Sequence, residues 1–172
     1  MIDLCVYDRM FDHDVAGPFG DSLSRLERWE ISPRLRKCSV TVIDESPQEF
    51  PRHAHNVGTT EHRFGYTAEI GTDRLGVTIK HDLVSGNRST YSYGPGRGAG
   101  EAVFVAREGS TAEDDGWLMT FVHANDGSAA SFVVLDAQDI ERGPVAEVPL
   151  PQRVPYGFHG NWVSDRSVPP TP

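Results

Sequence analysis

Eight short runs of strand-forming residues recur along this chain of 172 residues, and no helical stripe of any length lies between them. They are "IDLCVY" (2–7), "ERWEI" (27–31), "CSVTVID" (38–44), "LGVTIKHDL" (75–83), "EAVFVA" (101–106), "GWLMTFVHA" (116–124), "ASFVVLDA" (130–137) and "PVAEVPLP" (144–151). Several alternate with period two, as in Trp29 and Ile31 against Arg28 and Glu30, which suits a half-buried strand. "WLMTFV" and "FVVL" are apolar on both faces, as strands inside a packed layer are. Gly, Pro, Asn and Asp punctuate the gaps. "NDGS" (125–128) predicts a hairpin, and "ERGP" (141–144) a third antiparallel strand. Only "FGDSLSRLERW" (19–29) suits a helical turn or two, starting at Asp21 or Ser22. The fold class is all-β, with strands spaced as in a sandwich, barrel or propeller.

Charge and cysteine usage narrow the function classes. A net charge of −9 leaves no basic footprint for nucleic acid. No run of 18 apolar residues suggests a transmembrane segment, and residues 1–30 lack the pattern of a secretory signal. Cys5 and Cys38 stand without a CxxC motif, so free, buried thiols in a reducing, cytoplasmic setting are expected ahead of a disulfide. "SDRSVPPTP" (164–172) has little to bury and is expected to form a flexible Pro-rich tail after residues 1–163.

Few motifs suggest chemistry. "GPGRGAG" (94–100) is followed by a strand rather than a helix and has no Lys-Ser or Lys-Thr, so it predicts an inter-strand loop. "AEDDG" (112–116) lacks the alternating oxygen ligands of a calcium loop and predicts a solvated turn. In "HAH", His53 and His55 would share one face of an extended segment, with His62 as the nearest third ligand; two ligands are not a site. No serine lies in GxSxG. "PYGFHGNWV" (155–163) follows an apolar run and is expected to end the last strand on His159, among Tyr156, Phe158 and Trp162, as a packed residue or as a metal ligand. "EFPR" (49–52) and "GEAVFVAR" (100–107) each put a carboxylate at the margin of an apolar strand. Such a group needs a donor, and an imidazole bound to metal through its other nitrogen is one.

In order along the chain, "SPQEFPR", "RFGYTAEI", "IKHDLVSGN", "GEAVFVAR", "AEDDGWLMTFV", "FVVLDAQ" and "VPYGFHGNWV" resemble the C-terminal portion of the carotenoid cleavage oxygenases. The bacterial members that include lignostilbene dioxygenases look most similar. The resemblance runs from about Ile2 to Val163. It implies the C-terminal two to three blades of a seven-bladed β-propeller, whose axis carries ferrous iron on four histidines hydrogen-bonded to glutamates. It carries His159 over as the last iron ligand, and Glu49 and Glu101 as glutamates that orient ligand histidines. The reaction implied is O2-dependent scission of a C=C bond in an apolar conjugated substrate (a carotenoid, apocarotenoid or stilbene), giving two carbonyl products. Tyr156, Phe158 and Trp162 would then wall the site from water. The other three ligands, one glutamate and the N-terminal blades have no match in this chain. His13, His53, His55, His62, His81 and His123 match no ligand motif. Three readings remain open: part of an iron dioxygenase, an inactive remnant, or a β-domain that binds a ligand or partner without chemistry.

Overall fold

The computed structural model describes residues 1–13, 22–71 and 75–164, and its strands form three antiparallel sheets. The first contains β1 (Ile2–Val6), β2 (Arg25–Ser32) and β3 (Lys37–Asp44), in that order. The second contains β4 (Gln48–Arg52), β5 (Phe64–Ile70), β6 (Leu75–Asp82) and β7 (Asn87–Tyr91), also in chain order. The third is built on β10 (Gly116–Ala124), which pairs with β8 (Arg97–Ala99) and β9 (Val103–Ala106) along one edge. On its other side lie β11 (Ala130–Asp136) and then β12 (Pro144–Pro149). The expected hairpin pairs Trp117 with Asp136 through to His123 with Ala130, and β12 is the expected third strand.

The second sheet touches both others. On one face of β5, Phe64 and Tyr66 join Phe104, Leu118, Val122 and Leu135 in the main core, with Tyr66 and Phe104 stacked at 5.9 Å. On the opposite face, Thr67 bonds Gln48 at 2.8 Å and faces His81 at 3.1 Å. Burial on both faces is why β5 carries Tyr, Thr, Ala and Ile with little polar surface. Gln48 ties the first two sheets together, its N–H donating to Ser24 Oγ at 3.0 Å. Lys80 joins the second to the third, donating to Asp114 Oδ2 and Ala137 O at 2.7 Å each. Gly116 lets β9 and β10 approach, since a Cβ there would lie 2.3 Å from Val105 O.

Five expectations change. Residues 22–24 lead straight into β2, so no helical turn forms there; residues 19–21 lie outside the described residues. Cys38 is exposed on β3, while Cys5 is partly covered; both thiols are free. "GPGRGAG" is not all loop, because Arg97–Ala99 pairs with β10. "AEDDG" is not merely solvated. Glu113 accepts the N–H groups of Arg63 and Phe64, Asp114 pairs with Lys80, and Asp115 pairs with Arg107. The last strand ends at Pro149, so His159 lies on an irregular segment and not on a strand. Of the expected tail only Ser164 is among the described residues, and no described helix is long and apolar enough to cross a membrane.

Candidate functional site

Glu101 follows β8 and precedes β9 at the edge of the third sheet, and its side chain is only 5% exposed. A carboxylate so placed must be satisfied by donors. His159 Nδ1 lies 3.1 Å from Oε1, and the Gly160 N–H donates to Oε2 at 2.7 Å. Arg52 Nη1 lies 3.4 Å from Oε1. An ionised carboxylate only accepts, so a neutral imidazole bonded to it donates from Nδ1 and leaves Nε2 as its acceptor nitrogen. His159 is 73% exposed. The structure thus shows a largely exposed imidazole held at Nδ1 by a carboxylate that is itself nearly covered.

Local backbone geometry brings β4 to this pair. The pairing of β4 with β5 shifts register between Glu49 and Arg52, and Phe50 in that bulge has φ +58°. Bulges re-aim side chains, and here consecutive residues diverge. Phe50 packs edge-on against the His159 ring, with centroids 6.2 Å apart. Arg52 reaches the 159–161 segment. Glu49 turns elsewhere: its Oε2 accepts the Phe50 N–H at 3.0 Å, and it lies near Cys5 and Tyr7. Burial pushes the Cys5 thiol and the Tyr7 hydroxyl up, and the Glu49 charge adds to both shifts. Glu101 is therefore the partner of His159, and Glu49 faces β1.

A cavity of about 380 Å³ opens beside the pair, lined by Val103, Met119, Phe132 and Trp162 together with Glu101 and His159. His123, buried under the Tyr156 ring at 4.7 Å, also lines it. Burial lowers its pKa, with the Arg153 charge adding to that shift. The expected aromatic wall does not form around His159. Tyr156, Phe158 and Trp162 are all at least half exposed, and Phe50 is the ring set against the imidazole.

The remaining histidines do other work. His53 and His55 do not act as a pair, because His55 begins a short 3-10 turn while the His53 ring lies tilted against His62, with centroids 5.0 Å apart. His62 Nε2 lies 3.0 Å from Asp3, which Arg28 grips at 2.7 and 2.8 Å. Those partners hold Asp3 well below the usual carboxylate range, at about 2, against the upward push of its burial. His81 is enclosed by Gln48 and Thr67. Among the described residues, no group of three or more His, Cys, Asp or Glu could hold a metal ion. The donor set fits one coordination position and not a complete iron centre. Sequence reasoning missed Phe50 and Arg52. Both stand beside Glu49 in "EFPR", but only the bulge sends them toward His159.

Residues 1–164 match the family model described as retinal pigment epithelial membrane protein, RPE65. The chain is 39% identical over 170 residues to a carotenoid cleavage oxygenase of Mycobacterium tuberculosis, covering 94% of this chain and 34% of that protein. It is 33% identical over 173 residues to the apocarotenoid-15,15'-oxygenase of Synechocystis, covering 94% and 35%. The structure of cobalt-substituted Synechocystis apocarotenoid oxygenase superposes with a TM-score of 0.84 at 30% identity, over 94% of this chain and 36% of that one. The chain therefore spans about a third of the length of the curated relatives it matches.

Proposed function

The chain belongs to the carotenoid cleavage oxygenase and RPE65 family, and from that premise we propose that its 172 residues form one side of an iron-dependent C=C-cleaving site. In this reading the three sheets are blades, or parts of blades, of a seven-bladed propeller. His159 supplies one iron ligand through Nε2, and Glu101 fixes its tautomer. Glu49 orients a ligand histidine outside this stretch. The substrate is an apolar conjugated molecule (a carotenoid, an apocarotenoid or a stilbene) cleaved with O2 to two carbonyl products. The observation that carries the reading is the Glu101–His159 Nδ1 contact of 3.1 Å, which leaves Nε2 as the donor.

By itself, the 172-residue chain is then catalytically silent. One imidazole cannot retain ferrous iron, and the described residues gather no further ligands around His159. This favours the reading of an inactive or purely binding β unit for the chain in isolation.

Grafting tests both statements. Residues 1–163 replace the matching third of the Synechocystis apocarotenoid-15,15'-oxygenase, and iron content and apocarotenoid cleavage are measured. The graft is expected to hold iron and cleave. His159→Ala is expected to empty it, and Glu101→Ala to weaken iron retention about ten- to a hundredfold. Full iron loading in the His159→Ala graft overturns the ligand assignment. Stoichiometric iron and cleavage by the isolated chain overturn its silence.

A further inference from the structure

We propose that Arg52 is a positioning residue for the Glu101–His159 pair: its guanidinium clamps the carboxylate and the 159–161 segment together, so that the imidazole keeps its proton on Nδ1. This deepens the reading of His159 as a ligand and rests on it for its functional meaning, but the geometry stands without iron.

Three contacts converge on one planar cation. Arg52 Nη1 lies 3.4 Å from Glu101 Oε1, and Nη2 lies 3.4 Å from Gly160 O and 3.5 Å from Asn161 Oδ1. Each is long for a hydrogen bond. Their joint effect comes from the fixed fork of the guanidinium, which meets several oxygens at once without further ordering. The pairing with Glu101 is partly shielded from water, at 30% and 5% side-chain exposure, and is screened less than a surface pair. Oε1 is shared by Arg52 and His159 Nδ1, so the cation fixes the oxygen to which the imidazole donates.

The 159–161 segment needs such a tie. Residues 153–164 carry no regular secondary structure, and the ring of His159 is largely exposed. Arg52 joins this segment to β4 across more than a hundred residues of chain. The β4 bulge aims both Phe50 and Arg52 at the same segment, at the cost of a phenylalanine with positive φ. Strain of that kind persists where surrounding contacts hold it. Without Arg52, Glu101 keeps only the Gly160 N–H and His159 as partners in this contact set. The segment is then free to swing, and the Nδ1–H···Oε1 bond opens. A neutral imidazole released from its acceptor populates both tautomers, with the proton partly on Nε2, where a metal would bind.

The test uses the 172-residue chain labelled with 15N-histidine. Magic-angle-spinning NMR is recorded near pH ~8, above the ordinary imidazole pKa of about 6.5, and His159 is assigned from the spectrum of His159→Gln. The unsubstituted chain is expected to show an Nδ1–H imidazole at His159. Arg52→Met is expected to shift it to a mixture richer in Nε2–H and to speed Gly160 amide exchange about tenfold. Arg52→Lys, which offers a point charge without the fork, is expected to lose part of both signatures. Arg88→Met, which removes a guanidinium paired with Asp44 elsewhere, is expected to change neither. An unshifted tautomer in Arg52→Met overturns the proposal, as does an equal shift in Arg88→Met. If Arg52→Met does not fold, Arg52→Lys decides alone, and signatures identical to the unsubstituted chain overturn the clamp. No readout involves iron, so failure here leaves the graft experiment standing, and failure of the graft leaves this one standing.

Discussion

His81 shows how one residue couples this fold to pH. Its Nε2 lies 2.9 Å from Gln48 Oε1 and 3.1 Å from Thr67 Oγ1, and its ring is almost wholly enclosed. Burial lowers its pKa to about 4, overriding the favourable charge of Asp44 at 3.9 Å, while Arg88 acts in the same direction as burial. The unfolded chain takes up the proton near pH ~6.5, and the folded one resists until about 4. The neutral ring's contribution is thus complete above ~6.5 and is lost as pH falls from there to about 4, a change of about 3 kcal/mol. Urea midpoints measured at pH ~7 and ~5 should fall steeply in the unsubstituted chain and less in His81→Gln; equal slopes would show that His81 is not the cause. The same scale separates what the sequence revealed of the site from what it hid. Glu101 was legible as a carboxylate in need of a donor, and His159 Nδ1 lies within reach of it; the residues around His159 left it open as packed or ligating, and only the family resemblance singled it out. Their pairing was not legible, since 58 residues separate them. Arg52 and Phe50 stood in a quoted tetrad, but alternation along an ideal strand does not foresee a bulge.

The strands divide in a similar way. Runs with strong apolar or alternating character emerged with bounds within a residue or two, and "GWLMTFVHA" matches β10 end to end. The missed strands are β4, β5, β7 and β8. β7 reads "NRSTY" and β8 "RGA", so neither carries apolar alternation. β4 holds a proline and a bulge, and both hide a strand from period-two counting. β5 mixes Gly, Thr and Ala on faces that are both buried, which blurs polarity alternation. What binds these elements is also unreadable from one run at a time. Lys80, at 8% exposure, leaves β6 to reach Asp114 before β10 and the Ala137 carbonyl after β11, with its ammonium 4.3 Å from the Phe64 ring centroid. Lys80→Met removes the cation and leaves Asp114 with only the long Gln138 Nε2 contact of 3.5 Å to offset its charge. The expected cost is about 3 kcal/mol or more in denaturant unfolding. Adding Asp114→Leu should recover much of it, because the uncompensated charge and not the missing bond dominates the loss. A single variant as stable as the unsubstituted chain would remove Lys80 from the account.

At the scale of the molecule, the three sheets have one interior member and two outer ones. The second sheet is covered on both faces, and the other two are not. On the face of the third sheet that bears the cavity beside Glu101 and His159, Phe121 and Phe132 sit directly opposite each other on β10 and β11, with Val148 of β12 beyond them. The ring pair is packed at 5.5 Å, yet Phe121 is 42% and Val148 52% exposed. At the other end, β3 is a sheet edge with Val40 and Val42 both exposed. An open strand edge and an apolar sheet face are the two surfaces through which β structures associate. Repeated β units ordinarily cover such surfaces with a neighbour. The 172-residue chain in isolation should therefore self-associate at micromolar concentration, seen as a concentration-dependent sedimentation coefficient. The net charge of −9 opposes association only at long range and is screened by salt, so added salt should strengthen it. Phe121→Lys with Val148→Lys should weaken association by placing two cations on that face; Val148→Lys alone should leave unfolding nearly unchanged, whereas Phe121→Lys also gives up the ring pair with Phe132. If the chain instead sediments as a single monomer at every concentration and melts in one sharp reversible transition, these faces need no cover, and the β unit stands on its own.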